Sequence, residues 1–259
     1  MLDPVEIVGK GRDGVFCKRF FRAGMCMLCA LLFVLNIRGP QRAAAAATPE
    51  EPAATPRAAE VSAAYRRLSE SKPDLDVNDW PLALYGSGRP VSSEPPETVR
   101  IGGVPVDARI AEPLRAMIAA ARGAGMSVYL SCGYTDAAAQ QHIYRRTAAK
   151  YGEETAQTIV GLPSESEHRS GLAVDITERY CEDKDSSLEE TELFEWLSLH
   201  CHEYGFVLRY PKDKKSVTGR VYQPWHFRYV GVEAARFMRD NHLTLEEFLD
   251  LYRTDPDPQ

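Results

Sequence analysis

Two histidines and an aspartate are the residues of this chain best suited to chemistry. His168 and Asp175 lie seven residues apart, and His226 follows 51 residues after Asp175. Two imidazoles and one carboxylate are the protein ligands of an open zinc site, in which a fourth position is left to water. Spacing alone leaves other interpretations open, because a His-x6-Asp pattern also arises by chance and a histidine beside a tryptophan is often a packed core residue.

The elements predicted around these residues form a small α+β domain. Gly171 lets the chain bend back after His168, and a strand from Ala173 to Ile176 carries Asp175 on the face opposite its apolar neighbours. A second strand, Val221 to His226, must bring the other histidine alongside. Helices precede most strands, so we expect a small, mostly antiparallel sheet flanked by helices. The remaining predicted elements are helices at Glu60 to Leu68, Asp107 to Ala121, Asp136 to Ala149, Glu153 to Val160, Ser187 to Tyr204 and Thr244 to Tyr252, and strands at Ser127 to Ser131 and Phe206 to Leu208.

The N-terminal part of the chain has the composition of a targeting segment. Basic residues precede the apolar run Ala23 to Ile37, and Ala43 to Ala47 offers small residues for cleavage, which is typical of a secretory signal. The apolar run is short against the roughly 20 residues of a membrane-spanning helix, so a cleaved signal is favoured over an uncleaved anchor. We predict a signal peptide or membrane anchor over residues 1–47, an Ala/Pro-rich tether with a short helix over 48–77, one folded domain over 78–253 and a tail over 254–259.

The charge of the chain disfavours one class of partner, and its cysteine content limits the possible disulfides. Without residues 1–47 the chain keeps 24 of its 31 basic and 34 of its 37 acidic residues, an acidic balance that disfavours nucleic acid as a partner. The three remaining cysteines, Cys132, Cys181 and Cys201, allow at most one internal disulfide. A Cys181–Cys201 pair is weakly favoured because both flank one predicted helix; the alternative is three buried thiols.

Several motifs in order resemble those of one enzyme family. The run Ser166 to Asp175 matches the pattern Ser-x-His-x-x-Gly-x-Ala-x-Asp at all fixed positions, and Pro224 to Gly231 supplies a second motif around His226. Together they are similar to the zinc D-alanyl-D-alanine carboxypeptidases of the VanY type, in the LAS group of metallopeptidases. The resemblance extends from about Asn78 to Tyr252 through Asp79-Trp80, Ser131-Cys132-Gly133-Tyr134, Gln140 and Leu243-Thr244-Leu245-Glu246-Glu247.

This resemblance implies a fold, a cofactor and a substrate. It implies the LAS-type α+β fold, Zn²⁺ held by His168, Asp175 and His226, and peptidoglycan stem peptides as substrate. The reaction it implies is removal of the C-terminal D-alanine by a zinc-activated water. The candidate substrate-binding residues are Ser166, Tyr134, Thr135, Gln140 and Trp225, although Trp225 is equally well interpreted as a core residue.

Two positions depart from the family pattern. Gln223 stands where the family has the glutamate that acts as general base, and a carboxamide has no useful basicity. Thr135 stands where the pattern Ser-x-Tyr-Arg-Ser carries an arginine, and threonine cannot replace a cation. Since general base catalysis contributes roughly 10² to 10⁴ in rate, the loss should weaken turnover without necessarily abolishing it.

Few charged residues nearby in the sequence could replace the missing general base or the missing arginine. Arg169 and Arg228 are the nearest cations in sequence, and Glu165 and Glu167 the nearest carboxylates; all four are interpreted as exposed loop or rim residues. His200 and His202 are interpreted as structural.

The sequence therefore predicts a secreted or cell-surface bacterial zinc carboxypeptidase that acts on peptidoglycan stem peptides. The alternative is a catalytically impaired zinc-binding module that recognises the same peptides. The complete ligand set favours the enzyme, whereas Gln223 and Thr135 favour the module.

Overall fold

A four-stranded antiparallel sheet, with strand order β3-β4-β6-β5, lies at the centre of the fold. The computed structural model describes residues 56–86, 88–181 and 184–253. The strands of the sheet are β3 (Tyr129–Cys132), β4 (Ala173–Thr177), β5 (Phe206–Leu208) and β6 (His226–Tyr229). A separate hairpin consists of β1 (Thr98–Ile101) and β2 (Val104–Asp107).

Eight α-helices in the described ranges surround these strands. They are α1 (Pro56–Ser71), α2 (Ala111–Gly123), α3 (Ala137–Tyr151), α4 (Glu153–Ile159), α5 (Glu192–His200), α6 (Lys215–Thr218), α7 (Val232–Asp240) and α8 (Leu245–Asp250). Short 3₁₀ turns at Trp80–Leu82, Ala108–Ile110, Glu167–Ser170, Ser186–Glu190 and Cys201–Tyr204 link several of them.

The sheet separates the main core from the candidate site. Alternate residues of a strand point to opposite faces, so Val174 and Ile176 enter the core that α2 and α5 cover, while Asp175 points away from it. Phe227 likewise enters the core between His226 and Arg228. A second, smaller core lies between α7 and α8 and includes Val207, Val230, Met238, Leu245 and Phe248.

Most predicted elements are present, with shifted ends. Asp136 caps α3, and Thr244 with Glu247 forms the predicted capping box of α8. The capping box predicted at Ser187 and Glu190 is wrong, because residues 186–190 form a 3₁₀ turn capped by Asp185. Thr191 instead caps the α5 helix.

Other predicted element boundaries differ from those in the structure. The strand predicted from Val221 is wrong, since β6 begins only at His226. The hairpin β1–β2 lies outside the predicted strands; Gly102 and Gly103, both with positive φ, form its two-residue turn. Helix α7 lies outside the predicted elements, and α1 extends beyond the predicted Glu60 to Leu68.

The described residues bear on two further predictions. Cys201 is a buried free thiol, and burial raises its pKa to about 12, so the favoured Cys181–Cys201 disulfide is wrong. Within the described ranges, every helix is too short or too polar to cross a bilayer. The predicted signal or anchor lies outside the described residues, and the predicted domain boundaries stay a prediction.

Candidate metal centre

Three neighbouring strands bring the candidate ligands to one face of the sheet. Asp175 on β4 pairs directly with His226 on β6, and on its other side Asp175 pairs with Cys132 at the end of β3. Residues that face each other across a strand pair project to the same side, so these three side chains share one face.

His168 comes from the turn before β4. It lies in the 3₁₀ turn Glu167–Ser170, which ends at Gly171 with φ of 73°. A Cβ at this glycine would lie 2.9 Å from the backbone nitrogen of Asp107, so both the positive φ and the close approach require glycine. The bend returns the chain into β4 with His168 next to Asp175.

Asp175 Oδ1 lies between the two imidazoles. It is 3.3 Å from Nε2 of His168 and 3.2 Å from Nδ1 of His226. The Asp175 side chain is only 5% exposed, and its Oδ1 atom makes no hydrogen bond among the described residues. A buried carboxylate oxygen without a hydrogen bond is costly unless a cation balances it.

The tautomer of His168 supports a cation at this position. Nδ1 of His168 lies 2.9 Å from the carbonyl oxygen of Gly133, and a carbonyl can only accept, so Nδ1 carries the proton. In the neutral ring, Nε2 then has a lone pair directed at another acceptor, Asp175 Oδ1. A cation between these atoms removes the repulsion, either a proton on Nε2 or a metal ion that replaces it, and backbone carbonyls commonly orient metal-binding histidines in this way. The residues present therefore fit a zinc ion.

Buried charges around the centre favour the anionic form of Asp175. Burial raises the pKa of this carboxyl, but Lys184, the largest opposing influence, and His168 together hold the pKa well below its usual range. Lys184 Nζ lies 2.5 Å from Asp175 Oδ2, on the side away from Oδ1. Burial lowers the pKa of His168, yet the charges of Cys132 and Asp175 raise it well above its ordinary value. The anionic Asp175 therefore stabilises positive charge at this centre.

Behind His226 lies a buried ionic network centred on Glu167. Glu167 Oε1 accepts hydrogen bonds from Arg209 Nε at 2.8 Å and from Arg228 Nη1 at 2.9 Å, and all three side chains are at most 1% exposed. Arg209 also makes a two-point contact with Glu246, at 2.7 and 2.8 Å. Burial raises the pKa of Glu167, but the two arginines lower it well below the usual range.

The second oxygen of Glu167 faces the histidine. Oε2 lies 3.5 Å from Nε2 of His226, on the opposite side of the ring from Asp175. A carboxylate at this position favours the tautomer with hydrogen on Nε2, which leaves the Nδ1 lone pair directed towards Asp175 and the metal position. At 3.5 Å this is an ion-pair contact and not a hydrogen bond, so Glu167 favours this orientation of His226 electrostatically. The interpretation of Glu167 and Arg228 as rim residues is wrong, because both are fully buried.

A fourth potential ligand was not among the predicted site residues. The sulfur of Cys132, a ring nitrogen of His168 and a carboxylate oxygen of Asp175 all lie within 4.8 Å of one another. Cys132 could have been identified from the sequence only if the register between β3 and β4 had been predicted correctly. Lys184 and Arg209 were also missed, because their contacts with Asp175 and Glu167 form only in the folded chain.

The residues predicted to act on substrate border the centre. Gln223 is buried, and its Nε2 donates to the carbonyl of Ile159 at 2.7 Å, which leaves its Oε1 as an acceptor. The Thr135 hydroxyl donates to Gln140 Oε1 at 2.9 Å, and its backbone nitrogen donates to the carbonyl of His168 at 3.1 Å. Ser166 and Trp225 are buried and Tyr134 is partly exposed.

Comparison with known proteins relates this centre to one family. Residues 104–232 match the family described as VanY, D-alanyl-D-alanine carboxypeptidase. A D-alanyl-D-alanine carboxypeptidase of Enterococcus faecalis is 33% identical over 196 residues, which are 71% of this chain and 70% of the relative. The putative carboxypeptidase YodJ of Bacillus subtilis is 38% identical over 146 residues, 54% of this chain. The match spans about half of YodJ, 52% of its length.

A solved structure has the same fold. It is a mutant of the vancomycin resistance D,D-pentapeptidase VanY from a VanB-type resistance cassette, in complex with Zn(II). The two structures superpose with a TM-score of 0.60 at 34% sequence identity, over 66% of this chain and 99% of the other. The expected α+β fold of the LAS group is confirmed.

Proposed function

Because the chain belongs to the VanY family of D-alanyl-D-alanine carboxypeptidases, which are zinc metallopeptidases, we propose that it removes the C-terminal D-alanine from peptidoglycan stem peptides. The observation that carries this proposal is the unpaired Asp175 Oδ1, placed 3.3 and 3.2 Å from the nitrogens of two histidines. This arrangement, in a chain with the family's motifs, supports zinc bound by His168 Nε2, Asp175 Oδ1 and His226 Nδ1.

The buried charges would keep these ligands in place. Bound zinc supplies a Lewis acid for the scissile carbonyl and makes water more acidic. Glu167 holds His226 in the tautomer that binds metal, and Lys184 restrains Asp175 through its other oxygen. These contacts reduce the reorganisation needed when metal and substrate bind.

Gln223 would orient the attacking water instead of deprotonating it. Its amide nitrogen is engaged with the end of α4, so only Oε1 is left to accept a hydrogen bond from water. Without a carboxylate at this position, we expect turnover roughly 10² to 10⁴ below that of a matched enzyme with a base.

Substrate would approach beside the loop that follows β3. Ser166, Tyr134, Thr135, Gln140 and Trp225 are the proposed contacts. Thr135 and Gln140 hydrogen-bond to each other, and since both are neutral, neither presents a cation to the terminal carboxylate of the peptide. We therefore expect weak binding of that carboxylate and a high KM.

The site of action follows from the substrate. Stem peptides lie outside the cytoplasm, so we propose that the protein is secreted or held at the cell surface through residues 1–47. The second candidate, a zinc-binding module that recognises stem peptides without cleaving them, is favoured by Gln223 and Thr135.

The test is release of D-alanine from a synthetic pentapeptide stem by the purified, zinc-loaded chain. We expect slow release above a metal-free control and loss of release in His226→Ala. Gln223→Glu should raise kcat by up to about 10²-fold, the lower end of the range for a general base. Gln157→Glu makes the same chemical change on the exposed surface of α4 and should leave kcat unchanged.

The outcomes separate the candidates. If the wild type releases no D-alanine but Gln223→Glu does, the binding module is correct for the natural chain. If neither protein releases D-alanine while each binds one zinc, the proposed activity is wrong.

A further inference from the structure

A bulge in β3 turns Cys132 towards the metal centre. Tyr129 pairs with Thr177 and Leu130 with Ile176, so a regular ladder would place Ser131 opposite Asp175. The register shifts between Leu130 and Cys132, and Cys132 instead faces Asp175. In a regular strand Cys132 would project to the same face as the core residue Leu130; the extra residue reverses this direction.

The resulting distances suit a shared metal ion. The Cys132 sulfur lies within 4.8 Å of ligand atoms of both His168 and Asp175. Around tetrahedral zinc, with Zn–S of about 2.3 Å and Zn–N of about 2.0 Å, sulfur and nitrogen ligands are about 3.6 Å apart. A shift of about 1 Å brings these three groups to that separation. His226, which is not part of this group, lies 3.2 Å from Asp175 Oδ1.

A second, independent feature also indicates a ligand at this point. Asp175 Oδ1 is buried, lacks a hydrogen bond among the described residues, and lies on the side of the carboxylate that faces the imidazoles. The thiol makes a long contact of 3.6 Å with the carbonyl of Gly133 and also lies next to His168. The ammonium of Lys184 lies next to the cluster, at 2.5 Å from Asp175 and 3.4 Å from Ser131.

We propose that Cys132 is a fourth protein ligand of the zinc ion, which closes the site with a Cys/His/Asp/His ligand set. The inference rests on the proposed zinc site and concerns its regulation. The thiolate competes with water for the position that an open site leaves free, so turnover is slow and rises when the sulfur dissociates or is chemically blocked.

The test is optical spectroscopy of the full chain loaded with Co²⁺ in place of zinc. A thiolate bound to cobalt produces an intense sulfur-to-metal charge-transfer band in the near ultraviolet, whereas nitrogen and oxygen ligands do not. We expect this band in the wild type and its loss in Cys132→Ser, with about one cobalt per chain in both. Cys181→Ser, which removes another partly buried thiol, should keep the band.

Zinc affinity provides a second readout that does not depend on activity. In a chelator competition, Cys132→Ser should bind zinc at least about tenfold more weakly than the wild type. Cobalt bound at one per chain without the band overturns the thiolate ligand and leaves the proposed zinc site intact. A chain that binds neither metal overturns both proposals. If Cys181→Ser loses the band and Cys132→Ser keeps it, the sulfur ligand is Cys181 and the proposal for Cys132 is overturned.

Discussion

Replacement of Glu167 by glutamine tests the role of the buried network most directly. The change keeps size and shape but removes the charge shared by Arg209 and Arg228. Arg209 retains Glu246, whereas the other hydrogen bonds of Arg228 go to backbone carbonyls of Pro81, Ala83 and Tyr229. Arg228 is therefore left as a buried charge without a hydrogen-bonded anion.

The magnitude follows from this imbalance. Removing one partner of a buried ion pair costs about 3–5 kcal/mol. The glutamine oxygen can still accept from both arginines, so we expect the lower end, a loss of about 3 kcal/mol in the free energy of unfolding of the metal-free protein. The amide nitrogen would then face Nε2 of His226 and favour the tautomer that protonates Nδ1. Zinc affinity should fall by about 10- to 100-fold, as for other residues that orient metal ligands.

The assays are urea unfolding of the metal-free chain at pH 7 and chelator competition for zinc. Because the folded-state pKa of Glu167 is lowered, its contribution is fully present above the unfolded value of about 4.3 and is lost as pH falls through the folded pKa. The stability difference between wild type and variant should therefore shrink in acid. Glu165→Gln is the control, since the contact that Glu165 makes among the described residues is a loop hydrogen bond from Gly88.

Two results would refute the reasoning. One is a decrease of less than about 1 kcal/mol in the free energy of unfolding, which would show that Glu167 does not compensate the charges of the two arginines. The other is normal zinc affinity in a variant that is clearly destabilised, which would show that the network supports the fold without orienting His226.

Three further outcomes are expected. Gly171→Ala should lower the free energy of unfolding by about 1–3 kcal/mol, measured in urea, because Gly171 has a positive φ and its Cβ would lie 2.9 Å from Asp107. Gly123→Ala is the control: this helical position has open space around it, and the change should not destabilise the protein. Thr244→Ala should cost about 1 kcal/mol by removing the cap of α8, and a change below about 0.3 kcal/mol would contradict that role. Zinc at 1,000 times its Kd should stabilise the chain by about 4 kcal/mol and raise Tm in calorimetry; an unchanged Tm would contradict binding to the folded state alone.

The sequence predicted the parts of the structure that depend on local patterns. Helices α2 and α3 follow from apolar spacing and from caps that are visible in the sequence. The capping box at Thr244 has the same spacing as Ser187 with Glu190, yet only Thr244 forms one. At the other position Asp185 and Thr191 supply the caps, so spacing alone did not decide between competing local hydrogen bonds.

Features that depend on strand register and long-range contact were not predictable in this way. The bulge that aims Cys132 becomes visible only when β3 is paired with β4. Charge type suggested that Glu167 and Arg228 are exposed, whereas their burial depends on Arg209, 42 residues from Glu167. Compensation between distant charges has no signature in the sequence near either residue.

The hydrogen bonds of Arg228 and Arg209 also define how much of the chain one stable unit needs. Arg228 donates to the carbonyls of Pro81 and Ala83, before the family-matched region 104–232, and Arg209 is bound by Glu246, beyond its end. A polypeptide trimmed to the matched region would retain every candidate metal ligand but lose partners for both buried arginines. Sequence matching thus marks the chemistry, while the smallest autonomous folding unit reaches outward to residues on either side of it.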